Sequence, residues 1–198
     1  MCTILLVRHG EHPLTERTLV GRDDGSVHLS KRGQEQADEL AELLADRGVD
    51  CVQSSPRVRC LETAAPLADL LGLPVHVHDA LDEVDFGYWT GRDFVTLNPD
   101  REWYAWNVHR ARTRAPGGET IAEARTRVLQ HIDRMSLRSP TATIAMFTHA
   151  EIIRAVRLHR AGLSPGAWQS IQVPLASVTE IELPVRSVPE ILFEAAAS

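Results

Sequence analysis

The stretch that decides the fold is Thr3-Ile-Leu-Leu-Val-Arg-His-Gly10. Its apolar run, which contains β-branched residues and is closed by a glycine, predicts a short buried strand over residues 3–8. His9 follows that strand directly. Later in the chain a second apolar run, residues 141–148, ends in the same way before His149. Each histidine is therefore expected at the carboxyl end of a buried strand.

Segments with helical periodicity alternate with the predicted strands. After Ser30, a residue typical of a helix N-cap, apolar side chains recur at i, i+3, i+4 and i+7 between residues 37 and 44. This alternation predicts an α/β fold, a three-layer α/β/α sandwich with a largely parallel central sheet. Ligands bind at the carboxyl edge of such sheets, where both histidines and the Ser54-Ser55 pair would lie. Further strands are predicted over 49–54, 74–78, 176–183 and 190–194, and further helices over 57–71, 121–135 and 151–161.

The composition restricts the functions open to the chain. Its 198 residues, 43% of them hydrophobic, suffice for a single domain over 1–198, with the long, aromatic and irregular stretch 79–118 as an insertion or lid. A net charge of −6 disfavours nonspecific binding to nucleic acid. No apolar run approaches the roughly 20 residues of a membrane-spanning helix, and the first residues do not resemble a secretory signal. Three cysteines without C-x-x-C spacing favour reduced thiols, so we expect a cytoplasmic protein.

Five sequence blocks in a fixed order resemble the motifs of the histidine phosphatase superfamily, also called the phosphoglycerate mutase-like family. They cover the chain from residue 4 to about residue 183, and an ordered set is far more specific than any single short motif. The blocks are R-H-G-E at 8–11; Gly-Arg at 21–22 with L-x-x-x-G-x-x-Q-A at 29–37; S-S-P-x-x-R-x-x-x-T-A at 54–64; L-x-E-x-x-F-G-x-W-x-G at 81–91; and P-G-G-E at 116–119 followed by T-H at 148–149.

The resemblance implies that His9 is a nucleophile that carries a phosphoryl group. Neutral imidazole is a good nucleophile at physiological pH and an accepted phosphoryl carrier. Arg8 and Arg59 would bind the phosphate, because guanidinium makes paired, charge-assisted hydrogen bonds to its oxygens. His149 and the backbone N–H of Ala150, at the start of a helix, would donate to phosphoryl oxygens. If the neighbouring motif residues are left out of account, the simpler interpretation is that both histidines are strand-end residues hydrogen-bonded to the backbone.

The resemblance also makes Glu83 the general acid for the leaving group and then the general base for water. Solvated carboxylates are commoner in proteins than catalytic ones, so three other carboxylates near the motifs are rival candidates for this role. Arg57 competes with Arg59, but it occupies a position that is usually apolar in relatives and is expected in a salt bridge or on the surface. The rival carboxylates are Asp82, Asp85 and Glu11.

Two departures from the family pattern affect the substrate contacts. Ala150 stands where relatives usually carry glycine, and it keeps the N–H donor. The loop over 12–15 lacks the small hydroxyl residue and asparagine of many relatives, so its contacts cannot be transferred. The segment over 86–115 either shapes the leaving-group pocket or is an amphipathic surface segment. If its arginines face the site, the substrate would carry a second anionic group; they are Arg110, Arg112 and Arg114.

Three functions are compatible with these patterns. The leading one is a phosphatase that hydrolyses phosphate monoesters of small molecules, its partner being the phosphate ester itself. A phosphoglycerate mutase is the alternative, although mutases of the family are typically longer, and an inactive relative that binds phosphorylated ligands is the third. No metal or cofactor is expected, because His76, His78 and Asp79 lack a further ligand at useful spacing. The sequence leaves open whether the chain forms a homodimer.

Overall fold

The structure, a computed structural model, describes residues 1–23 and 25–185 and contains a five-stranded sheet. The strands are β1 (Cys2–Arg8), β2 (Val49–Ser54), β3 (Val75–Val77), β4 (Thr143–Thr148) and β5 (Val178–Leu183). They lie in the order β3-β2-β4-β1-β5; β1 to β4 are parallel to one another, and β5 pairs antiparallel with β1 at one edge. The largely parallel sheet is thus confirmed, whereas the strand predicted over 190–194 lies outside the described residues.

Helices cover both faces of the sheet, which confirms the three-layer sandwich. Successive residues of β1 point to opposite faces. The helices are α1 (Lys31–Ala45), α2 (Val58–Leu71), α3 (Phe94–Leu97), α4 (Arg101–Val108), α5 (Ile121–Arg138) and α6 (Ala150–Arg160). Ile4 and Leu6 pack with α5 and α6 on one face of the sheet, and Leu5 and Val7 pack with α1 and α2 on the other.

Local sequence signals explain where the main helices begin. Ser30 is the N-cap of α1, and its hydroxyl accepts a hydrogen bond from the N–H of Gly33, as the sequence predicted. Helix α5 starts with a capping box in which Thr120 and Glu123 each bind the other's backbone N–H. None of the described helices is long and apolar enough to cross a membrane.

The stretch 79–118 is more regular than its sequence predicts. It contains 3₁₀ turns at Asp79–Leu81 and Gly87–Trp89 as well as the short helices α3 and α4. Helices of four and eight residues show too few turns for a periodic pattern to emerge from the sequence. Trp89 and Trp106 are 2% and 0% exposed and belong to the same apolar core as α5, so part of this stretch is core rather than surface.

Candidate active site

His9 lies at the carboxyl end of β1, where its backbone N–H donates to the carbonyl of Thr148 on the adjacent strand β4. The side chain is 4% exposed, and Nδ1 lies 2.8 Å from the carbonyl oxygen of Gly10. A carbonyl only accepts hydrogen bonds, so Nδ1 carries the proton and Nε2 keeps its lone pair. Burial, together with the Arg59 guanidinium, holds the pKa of His9 well below its ordinary value. The ring is therefore neutral, with a nucleophilic Nε2.

His149 directly follows β4 and is completely buried, with its ring centroid 5.3 Å from that of His9. Its Nδ1 lies 3.1 Å from Nη2 of Arg59, and because a guanidinium only donates, Nδ1 accepts. Nε2 then carries the proton and lies 2.8 Å from the hydroxyl oxygen of Ser55. Burial and Arg59 keep the pKa of His149 well below its ordinary value. In this geometry both ring nitrogens have protein partners, and the expected contact of His149 with a phosphoryl oxygen stays a prediction.

Arg8 and Arg59 both line the cavity that His9 faces. Arg59, 2% exposed, forms an ion pair of 2.6 Å with Asp23 and donates from Nη2 to the carbonyl of Gly21. Arg8 donates from Nη1 to the carbonyl of Val173 at 2.6 Å. The Nε atoms of both arginines are buried and have no partner among the described residues. Two guanidinium groups with unused donors thus lie in the same cavity as His9.

Glu83 lines the same cavity, and its carboxylate Oε2 lies 4.0 Å from Nδ1 of His149. Its other oxygen accepts from the N–H of Val84 at 2.9 Å. Burial, with a contribution from the nearby Glu151 carboxylate, raises the pKa of Glu83 to about 7. A carboxyl group that titrates near neutrality can donate a proton in one step and accept it in the next.

The rival residues have other partners. Asp82 accepts from the N–H of Glu83 and pairs with Nε of Arg57 at 3.1 Å, which places Arg57 in a salt bridge as expected. Asp85 accepts from the N–H of Gly87, and Glu11 accepts from the hydroxyl of Ser30. None of these four charged side chains lines the cavity, so Glu83 is the carboxyl group best placed among the candidates.

The cavity has a volume of about 680 Å³ and extends from His9 to the aromatic stretch. Trp103, Tyr104 and Trp106 line it, together with Arg110. The sequence left two interpretations open for residues 86–115, a wall of the leaving-group pocket or an amphipathic surface segment. Both apply in part, because Arg110 lines the cavity, whereas Arg112 is exposed and Arg114 pairs with Glu123 on the surface. Ala150, the first residue of α6, also lines the cavity, and the contact of its N–H with a phosphoryl oxygen stays a prediction.

Several residues of the cavity wall and its support were missed in the sequence. The missed residues are His12, Asp23, Glu151, Arg154 and Trp168. Arg154 alone had a readable signal, because it follows Ala150 by four residues and so shares its helix face. The others meet the site through loops or through tertiary contacts that no periodicity records. Among the described residues, no cluster of three or more His, Cys, Asp or Glu side chains could hold a metal ion.

Known proteins share both the sequence pattern and the fold. The family profile of the histidine phosphatase superfamily (branch 1) matches residues 4–188. Phosphoserine phosphatase 1 of Hydrogenobacter thermophilus is 29% identical over 190 residues, covering 94% of this chain and 89% of that protein. A bifunctional protein of Mycobacterium tuberculosis is 32% identical over 182 residues, covering 90% of this chain and 50% of that protein. The chain thus spans about half the length of the first curated relatives it matches.

A solved structure supports the same assignment. A mutant phosphoserine phosphatase from Entamoeba histolytica, in complex with phosphoserine, superimposes with a TM-score of 0.78 at 25% identity, covering 91% of this chain and 90% of that one. The fold predicted from the sequence, phosphoglycerate mutase-like, agrees with this neighbour.

Proposed function

The chain belongs to the histidine phosphatase superfamily, and on that basis we propose that it hydrolyses phosphate monoesters of small molecules through a phosphohistidine on His9. The observation that carries the proposal is the hydrogen bond from Nδ1 of His9 to the carbonyl of Gly10 at 2.8 Å. It fixes the tautomer that leaves Nε2 unprotonated in a cavity that Arg8, Arg59 and Glu83 also line.

In the first half-reaction, the Nε2 lone pair attacks phosphorus while the bond between phosphorus and the leaving oxygen breaks. Arg8 and Arg59 balance the negative charge on the phosphoryl oxygens, and the N–H of Ala150 and the N–H of His149 add hydrogen bonds. His149 makes this contact only by giving up its bond to Ser55. Glu83, protonated, donates its proton to the departing oxygen.

In the second half-reaction, the Glu83 carboxylate accepts a proton from water as the water oxygen attacks phosphorus. The bond between phosphorus and Nε2 of His9 breaks, inorganic phosphate leaves, and Glu83 is protonated again. A pKa of about 7 suits this double role, because both protonation states of Glu83 are accessible near neutral pH. No step requires a metal ion, and residues 79–118 close the site from the side of the leaving group.

A panel of phosphate monoesters, assayed with EDTA present, tests the proposal. We expect release of inorganic phosphate from at least one ester, and a loss of at least about a thousandfold in the His9→Ala variant. Interconversion of 2- and 3-phosphoglycerate without net phosphate release would favour the mutase alternative. Binding of esters with no turnover would favour the inactive relative.

A further inference from the structure

The tautomer of His9 depends on one backbone carbonyl. Among the described residues, Nδ1 of His9 has a single hydrogen-bond partner, the carbonyl oxygen of Gly10 at 2.8 Å. If that carbonyl turned away, the proton on Nδ1 would lose its acceptor, and the neutral ring could carry the proton on Nε2 instead. A protonated Nε2 has no lone pair with which to attack phosphorus. The orientation of the Gly10 carbonyl therefore decides whether the imidazole can act as a nucleophile.

Gly10 does not fix this orientation by itself. Glycine has no Cβ and is conformationally permissive, so the peptide group that follows it can turn about the Cα–C bond. A larger residue is excluded at this position, because a Cβ on Gly10 would lie 2.7 Å from the carbonyl oxygen of Gly33 in α1. The orientation must consequently come from contacts that the peptide group makes with other segments.

Gln36 in helix α1 makes such a contact. The carbonyl of Gly10 and the N–H of Glu11 belong to one planar trans peptide group and point in opposite directions. This N–H donates to Oε1 of Gln36 at 2.8 Å, while the carbonyl accepts from Nδ1 of His9. The rigid peptide group is thus held at both ends. Gln36 belongs to the sequence block at 29–37, to which the proposed mechanism gives no role.

The peptide groups on either side are anchored separately. The N–H of Gly10, in the preceding peptide group, donates to Oγ1 of Thr63 at 3.0 Å. The carbonyl of Glu11, in the following one, accepts from the N–H of Ser30 at 2.9 Å. Among the described residues, the peptide group between them is bound only by Gln36 and by the imidazole itself. Its orientation therefore depends on Gln36 more than on any other side chain of the protein.

We infer that Gln36 is a positioning residue for the reaction: its side-chain oxygen orients the peptide group between Gly10 and Glu11, which keeps the His9 proton on Nδ1 and leaves Nε2 free to attack. The inference rests on the proposed function, since it takes His9 as the nucleophile. Gln36 does not line the cavity, so it acts through the backbone and not on the phosphate. Without its oxygen, the N–H of Glu11 would lack an acceptor, and turning the peptide group would restore one at the expense of the bond to His9.

NMR of protein with ¹⁵N-labelled histidine tests the inference, because long-range ¹H–¹⁵N spectra show which ring nitrogen carries the proton. The signals of His9 are assigned by their absence in His9→Ala. We expect protonation on Nδ1 in the wild-type protein and a mixture of both tautomers in Gln36→Met, whose side chain has the same length but no oxygen. Gln34→Met, a change at an exposed glutamine of the same helix, should match the wild type. A pure Nδ1 tautomer in Gln36→Met would overturn the inference.

Kinetics give a second measurement that a merely structural role would not reproduce. Loss of one hydrogen bond that orients the nucleophile should lower kcat of Gln36→Met about tenfold. The dissociation constant of inorganic phosphate should stay unchanged, because Arg8 and Arg59 are not affected. Gln36→Glu keeps a side-chain oxygen at the same place and should restore the wild-type tautomer. A loss of phosphate affinity as large as the loss in kcat would overturn the positioning role.

The outcomes separate this inference from the proposed function. A pure Nδ1 tautomer in Gln36→Met, with turnover in the wild-type protein, overturns the role of Gln36 and leaves the phosphatase proposal standing. Absence of turnover in the wild-type protein overturns the proposed function whatever the tautomer. If Gln36→Met fails to fold, Gln36→Glu decides: its charged oxygen is a stronger acceptor, so the amide proton of Glu11 should shift downfield, and an unmoved signal would overturn the inference.

Discussion

Replacing Glu83 with glutamine changes how stability and activity depend on pH, because the structure places this carboxyl group in an unfavourable environment for its charge. The side chain is 11% exposed, and burial raises its pKa to about 7 from an ordinary value of 4.5. The folded protein thus binds the Glu83 proton more tightly than the unfolded chain does. By linkage, this group lowers the free energy of unfolding as pH rises from about 4.5 to about 7.

The size of the effect follows from the shift. At 1.36 kcal/mol per pKa unit, the difference between about 7 and 4.5 amounts to about 3 kcal/mol above pH 7, of which about 2 kcal/mol develops between pH 5 and pH 8. Glutamine keeps the shape of the side chain and carries no charge. The free energy of unfolding of Glu83→Gln, relative to wild type, should therefore increase by about 2 kcal/mol over that interval.

Urea denaturation at several pH values, followed by circular dichroism, measures this difference. Groups that titrate alike in the wild-type protein and the variant contribute equally to both free energies of unfolding, so their contributions cancel in the difference. Glu123→Gln is the matched control: Arg114 holds the pKa of Glu123 at about 2, so the difference from wild type should be constant between pH 5 and pH 8. A constant difference for Glu83→Gln as well would refute the raised pKa. In turnover assays the same variant should lose about 10²- to 10⁴-fold in kcat on alkyl phosphates.

Three further changes have defined outcomes. A methyl group at Gly33 would lie 2.0 Å from the carbonyl oxygen of Glu11, so Gly33→Ala should lower the free energy of unfolding by about 1–3 kcal/mol in urea titrations. Gly166→Ala is the control and should be nearly neutral, because its added Cβ would lie 3.4 Å from the nearest neighbouring atom, Oγ of Ser164. Inorganic phosphate at a hundredfold excess over its Kd should stabilise the wild-type protein by about 2.7 kcal/mol in thermal unfolding. Equal stabilisation of the Arg59→Gln variant at the same phosphate concentration would contradict the proposed phosphate site. Turnover should be unchanged by EDTA; a loss that added metal restores would disprove metal independence.

The elements that carry the proposed nucleophile could be predicted because their signals are local. A run of apolar residues closed by His9-Gly10 fixes a buried strand, and Ser30 marks the start of α1. Arg8 is adjacent to His9 in sequence, and Arg59 lies in the motif that opens α2. Because these residues directly follow, end or lie close after a predicted strand, their positions in the sequence place them at the carboxyl edge of the sheet.

The surroundings of the site depend on contacts between distant segments, which local patterns do not record. The pairing of Arg59 with Asp23 joins residues 36 positions apart, and Trp168 reaches Arg110 across 58 positions. Helix α4 was missed because its eight residues carry aromatic side chains on several faces. Motifs therefore located the proposed chemistry, whereas the leaving-group side of the cavity became visible only in three dimensions.

The most direct test of the central claim is to trap the covalent intermediate. Acid-free rapid quenching with ³²P-labelled substrate, followed by trypsin digestion and fragmentation in the mass spectrometer, would locate the phosphoryl group within the peptide 9–17. That peptide also contains His12, whose ring centroid lies 5.4 Å from that of His9, so fragmentation between the two is decisive. The account predicts phosphate on His9 in the wild-type protein and no label in His9→Ala. Phosphate on His12, or steady turnover with no labelled histidine, would contradict it.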